Sequence, residues 1–205
     1  YPDAAYRELS NDPLNGEDWW HIDPRVNWLL EKLSDDSENG FANEKVLVIA
    51  HHRETAEGLA EGLRVLGVYH APVFHEDLSL IERDRAAAAF ADEDGGVQVL
   101  VCSEIGSEGR NFQFCRHLVM FDMPQHPDQL EQRIGRLDRI GQRHAIELHI
   151  PTFEGSPGER LLRWYNEGMD AFSAPHGVGN DLFDAFGDAL ADALLDDEAL
   201  EEIIA

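Results

Sequence analysis

Continuous apolar runs alternate along the middle of the chain with stretches in which apolar residues recur every three or four positions, the pattern of strands interleaved with helices. Val46-Leu-Val-Ile-Ala50 predicts a parallel strand buried on both faces. Ala56, Leu59, Ala60, Leu63 and Leu66 then follow at helical spacing, with Glu54, Glu57 and Glu61 on the wet side. Val68 to Phe74 is a second, shorter apolar run, and Ser79 with Glu82 forms a capping-box pattern that opens a helix through the alanines to Phe90. Gly95-Gly96 ends that unit. Val97 to Cys102, Leu118 to Asp122 and Ala145 to Ile150 supply three more strands. Pro127, suited to a first helical turn, starts a helix between the last two, and Glu159 to Phe172 forms another. The predicted fold is α/β, a parallel sheet with helices on both faces and helical appendages at each end.

The ends of the chain read differently. Residues 1 to 22 are turn-rich, with Asp12-Pro13, Asn15-Gly16 and the pair Trp19-Trp20, which either anchors against the lobe or serves a partner. Asp23-Pro24 caps a helix through Leu33, and Ser34 to Asn43 is a polar linker. Near the other end, His176-Gly-Val-Gly-Asn180 breaks the chain. Beyond it Leu182, Phe183, Phe186, Leu190, Ala193 and Leu194 form a helical stripe, amid nine acids and no lysine or arginine after residue 174. That helix packs on neighbouring protein with its acids in water, or docks on a basic partner. The expected organisation is an extension and linker helix over 1–44, the lobe over 45–174, and an acidic helical segment over 175–205 leading to a further domain.

Candidate chemistry concentrates in Gln129-Leu-Glu-Gln-Arg-Ile-Gly-Arg-Leu-Asp-Arg-Ile-Gly-Gln142. If the helix continues, Arg133, Arg136 and Arg139 stack along one side, where planar guanidiniums can grip phosphate. The alternative is an ordinary surface helix in which Glu131 or Asp138 pairs with a neighbouring arginine. Cys102-Ser-Glu-Ile-Gly-Ser-Glu-Gly-Arg-Asn111 follows a strand, at the end of the sheet where ligands collect in such folds, and Gly106 and Gly109 permit close backbone approach. No G-x-x-x-x-G-K-[ST] cradle is present: the only lysines are Lys32 and Lys45, and no strand ends in paired acids suited to magnesium.

These blocks resemble the second RecA-like lobe of a Swi/Snf-class ATPase motor, in the branch associated with bacterial RNA polymerase. The resemblance is carried by Val46 to His51, Val73-Phe-His-Glu76 with Ile81 to Arg85 and Phe90, Cys102 to Phe114, and Glu131 to Gln142, and spans most of residues 20 to 172. It implies that Arg136 and Arg139 reach across a cleft to the phosphates of ATP, held with Mg2+ mainly by a first lobe of the same polypeptide. It implies that Gly109 and Asn111 lie near the nucleotide sugar, that Gln132 positions the arginine loop, and that His51, Ser103 and Glu104 face duplex DNA. Glu104 departs from the family pattern, since a carboxylate repels phosphate. The implied activity is ATP-driven translocation on duplex DNA linked to RNA polymerase recycling, without strand separation. This chain alone would be inactive. A non-motor module that docks on RNA polymerase or another partner is the alternative.

Composition narrows these readings. The 205 residues and 43% hydrophobic content suffice for one sizeable core. Two cysteines, Cys102 and Cys115, have neither metal nor disulfide spacing and read as reduced and buried. The ten histidines contain no helical H-x-x-x-H pair, so no metal site is expected. A start at Tyr1 with no signal peptide or apolar span suits an excised piece of a cytoplasmic protein with no membrane partner, and the resemblance implies that it is bacterial and nucleoid-associated. The net charge of -25 is unusual for a DNA motor, and requires either that DNA affinity comes from other domains or that the arginines gather at the cleft. Fourteen arginines and two lysines against 41 acids also match salt-adapted proteins, a hypothesis that fails if molar salt leaves solubility and stability unchanged.

Overall fold

The computed structural model describes residues 18–35, 39–67, 69–92, 96–107, 109–142, 144–172, 189–190 and 193–204. Five parallel strands form one sheet: β1 (Val46–Ala50), β2 (Val73–Phe74), β3 (Val99–Ser103), β4 (His117–Met120) and β5 (Glu147–His149), in the order β2-β3-β1-β4-β5. β1 lies at the centre, with Val46 opposite both Val99 and His117. Its continuous apolar run follows from having both faces covered. Leu47 and Ile49 enter one core with Phe74, Phe90, Leu118 and Trp164, while Val46, Val48 and Ala50 enter the other with Trp20, Leu29, Leu59 and Phe121.

Among the described residues the sheet is accompanied by the α-helices α1 (Pro24–Ser34), α2 (Arg53–Gly67), α3 (Leu80–Ala91), the single turn α4 (Glu104–Ser107), α5 (Pro127–Ile134), α6 (Pro157–Arg163) and α7 (Asp197–Ile204). Asp23 caps α1 through its side chain, and Ser79 with Glu82 forms the expected capping box on α3. Ala56, Leu59, Ala60 and Leu63 of α2 are buried as their spacing predicts, but Leu66 is 40% exposed. Trp19 and Trp20 are anchors. They lie so close on α2 that a Cβ at Gly58 would meet Trp19 Nε1 at 2.6 Å and one at Gly62 would meet Trp20 Cβ at 2.9 Å.

Several boundaries differ from expectation for local reasons. β2 is confined to Val73–Phe74, because Pro72 has no N–H to give a ladder and contributes only its carbonyl, to Val101 N at 3.1 Å. The helix expected over 159–172 begins at Pro157, capped by Ser156, and passes into a π-turn over Trp164–Gly168. The wider turn lets adjacent Trp164 and Tyr165 both be buried, and Tyr165 donates its hydroxyl to Pro124 O at 3.1 Å. Phe41, inside the expected polar linker, is wholly buried.

At the C-terminal end, Leu190 and Ala193 join the lobe's core, as does Leu200 of α7, a helix the apolar stripe did not anticipate. Its acids do not all face water alone: Arg160 donates to Asp197 at 2.7 Å and Arg163 to Glu201 at 2.6 Å. The turns at Asp12-Pro13 and Asn15-Gly16, the break at 176–180, and Leu182, Phe183 and Phe186 of the stripe lie outside the described residues. Among the described residues, no helix is long and apolar enough to cross a membrane.

Candidate functional site

The polar ends of β1, β3 and β4 meet around one guanidinium. Asp122, just beyond β4, accepts the His51 backbone N–H through both oxygens, at 3.0 and 2.8 Å. Arg133, on the last turn of α5, donates to Asp122 Oδ1 at 3.0 Å and, through Nε, to Glu104 Oε2 at 2.9 Å. It is fully buried, so this cation is spent on holding α5 to the strand ends. Burial alone would raise the Glu104 pKa, but the nearby His51 and the hydrogen bonds from Arg133 outweigh it and hold the carboxyl below its ordinary value. The same Glu104 contact, at 3.7 Å from His51 Nδ1, raises the imidazole pKa against the opposing effect of burial.

Three expected arginines on one helical face are therefore not what forms. α5 ends at Ile134, and the chain turns because Leu137 is drawn completely into the core and Phe112 N–H bonds the Arg136 carbonyl at 2.9 Å. Arg136 is 6% exposed within that turn. Arg139 is exposed; its Nε donates to Gly135 O at 2.7 Å, and no carboxylate pairs with its terminal nitrogens among the described residues.

The turn packs along the loop after β3. Gln142 Nε2 donates to Cys115 O at 3.2 Å, and Asn111 Oδ1 accepts the Gln113 N–H at 3.0 Å, closing an Asx turn beside the Phe112–Arg136 bond. Gly109 has φ +72, a conformation that favours glycine, and a Cβ there would meet open space. Asn111 and Gln132 are exposed. Ser103 is instead buried: its hydroxyl donates to Glu76 Oε2 at 2.7 Å and accepts the Gly106 N–H at 2.9 Å.

The sequence-predicted residues thus form two groups. His51, Ser103 and Glu104 gather at the strand ends, lining or backing an open pocket of about 430 Å³ that also touches Glu54, Glu76 and Gln129. Gly109, Asn111, Arg136 and Arg139 belong to the loop-and-turn pair. A pocket of about 490 Å³ behind α5 lies between Ile134, Ile146 and Phe172, and its carboxylates Glu131 and Asp138 repel phosphate. Asp122 was missed as a site residue because it ends an apolar run with no motif around it, and Arg133 was read as a ligand donor because spacing does not reveal its carboxylate partners. Cys102 and Cys115 are buried and free, and burial pushes the Cys115 thiol up to about 12.

Comparison with known proteins agrees with this architecture. The helicase conserved C-terminal domain family matches residues 26–141, and the RNA polymerase recycling family C-terminal domain matches 145–205. RNA polymerase-associated protein RapA of Pseudomonas putida (strain GB-1) is 56% identical over 190 residues, which cover 93% of this chain and 19% of that protein. RapA of Stutzerimonas stutzeri is 54% identical over 196 residues, covering 96% and 20% respectively. The chain thus spans about a fifth of the length of these relatives. Among solved structures, the C-terminal part of the Fun30 ATPase domain superposes with a TM-score of 0.61 at 18% identity, covering 88% of this chain and 56% of that one. The Sulfolobus solfataricus SWI2/SNF2 ATPase core in complex with dsDNA gives 0.60 at 18% identity, over 88% and 34%. Both show the same fold.

Proposed function

We propose, from the premise that this chain belongs to the helicase conserved C-terminal domain family, that it is the second lobe of an ATP-dependent duplex-DNA translocase acting on bacterial RNA polymerase. The observation that carries this reading is the exposed Arg139, presented on a turn that is fastened to the core by Leu137 and to the Asn111 loop by the Phe112–Arg136 bond. Such a mounting holds guanidinium donors toward a ligand without requiring the turn to order on binding.

The residues present suit one side of a nucleotide and not its magnesium ion. Arg139 has donors to offer phosphate, whereas Glu104 and Asp122, the carboxylates at the strand ends, are occupied by Arg133. ATP with Mg2+ would supply the transferable phosphoryl group and its charge neutralisation, held mainly by the first lobe. In this assignment Arg139 contacts the phosphates, Arg136 and Gln132 position the turn, and Gly109 and Asn111 form the loop near the sugar. His51 and the rim around Glu104 face the DNA side, with buried Ser103 shaping the loop from beneath. Relatives named for RNA polymerase association, and the polymerase-recycling match over 145–205, support that partner and a cytoplasmic location.

The near-complete burial of Arg136 favours one competing reading, in which the arginines are structural and the lobe docks a partner without completing an ATP site. DNA-stimulated ATP turnover decides between them, measured on a protein in which the first lobe precedes this chain. Arg139→Ala is expected to reduce turnover about 10³-fold or more with folding intact. Unchanged turnover would overturn the arginine-finger assignment.

A further inference from the structure

The opposite end of the sheet carries a second cluster. Parallel pairing sets His117 of β4 beside Glu147 of β5 and Val119 beside His149, so both histidines and the glutamate share one face. His117 Nδ1 lies 3.1 Å from His149 Nε2 and 3.5 Å from Glu147 Oε2, and the three candidate ligand atoms all fall within 4.8 Å of one another. We propose that His117, Glu147 and His149 form a binding site for a divalent transition-metal ion of the zinc class, bridging β4 and the edge strand β5.

Two of the ligand separations already stand near those of a zinc site. Tetrahedral zinc with bonds of about 2.0–2.1 Å to nitrogen and oxygen separates its ligand atoms by about 3.3–3.4 Å, close to the two distances above. Two imidazoles and a carboxylate, with a fourth position left for water, is an established zinc donor set. The surroundings hold the rings in place: Phe41 packs on His117 with centroids 4.8 Å apart and on His149 at 4.6 Å. Glu147, its side chain 43% exposed, leaves an entry path.

Positive charge near the site is largely accounted for. Arg116 donates from Nε to His117 Nε2 at 3.2 Å, and also lies 3.3 Å from Glu147 and 3.7 Å from Glu44. Lys32 is near His149 and donates to Asn39 O at 2.7 Å. The Arg116 donor keeps the His117 proton on Nδ1. Metal binding through Nδ1 moves that proton to Nε2, so the Arg116 Nε–H must turn away, toward Glu44. The site is independent of the arginine turn. It joins the two matched families, since His117 lies within 26–141 and the other two ligands within 145–205.

The test is titration of the 205-residue chain with Co2+, read by the visible absorption of tetrahedral cobalt, with Zn2+ as competitor. A single saturable equivalent displaced by zinc is expected. Glu147→Ala, at an exposed position that leaves the fold intact by circular dichroism, should weaken binding about 100-fold or more, since loss of an outer-shell partner alone costs up to that much. Zinc should raise the melting temperature of the wild type and not of Glu147→Ala. No saturable tetrahedral band, or affinity unchanged in both Glu147→Ala and His149→Ala, would overturn the proposal.

Discussion

Arg133 and Arg139 belong to one arginine-rich segment, yet one is sealed inside the protein and the other stands in solvent. Arg133 meets Glu104 and Asp122, carboxylates brought from the ends of two different strands, while among the described residues Arg139 donates through Nε to the Gly135 carbonyl and meets no carboxylate. The difference teaches that the partner, not the spacing of the cations, divides arginines committed to the core from those left available to a ligand. A guanidinium surrounded by fixed carboxylates has no capacity left for phosphate; one on a braced turn does.

Arg133→Ala would test that division most severely. It leaves Glu104 and Asp122 poorly compensated at the strand ends and should cost about 3–5 kcal/mol in denaturant unfolding; a cost below about 1 kcal/mol would erase the distinction. Leu137→Ala acts on the brace between the two arginines and should cost about 3 kcal/mol, because a fully buried leucine leaves a cavity. If it proved neutral, the turn would owe its shape to something else.

A smaller effect, separable by pH, is expected of His51. Its folded pKa is raised, so its stabilisation is complete below its unfolded pKa near 6.5 and is lost as pH rises through the higher folded value. Glu104 works oppositely: its pKa is lowered, so its contribution is present above its unfolded value near 4.5 and lost as pH falls through the folded one. The pair is therefore strongest between those two unfolded values. His51→Gln should flatten thermal stability against pH above that window, by about 0.5 kcal/mol after solvent screening; an unchanged slope would remove His51 from the network. Arg139→Ala should change unfolding free energy least, within about 0.5 kcal/mol. A loss matching that of Arg133→Ala would make both arginines structural.

The sheet was legible because β1, β3 and β4 are buried on both sides, leaving uninterrupted apolar runs such as Val46 to Ala50. Helix starts were legible where capping chemistry is local, at Asp23 and Ser79. Endings set by distant contacts were not. Leu137 leaves the helical path for a core assembled from remote segments, and the π-turn at Trp164 answers to the burial of two neighbouring rings. The Asp122–Arg133–Glu104 network and the His117–Glu147–His149 cluster were illegible for the same reason, since helix packing on strand ends in the first and strand pairing in the second join residues whose sequence separation obeys no motif. Buried Ser103 shows the reverse: its place at a strand end was legible, its inward hydroxyl was not.

The border between the two matched families falls within one sheet, because β5 lies in the second range and pairs with β4 in the first. A helicase-type lobe trimmed at residue 144 would lose that cover and present β4, whose four residues are all buried in the intact fold, as a bare apolar edge. Such an edge recruits strands from other molecules. Pairing with β5 therefore closes the edge along which β4 would otherwise be open to a foreign strand.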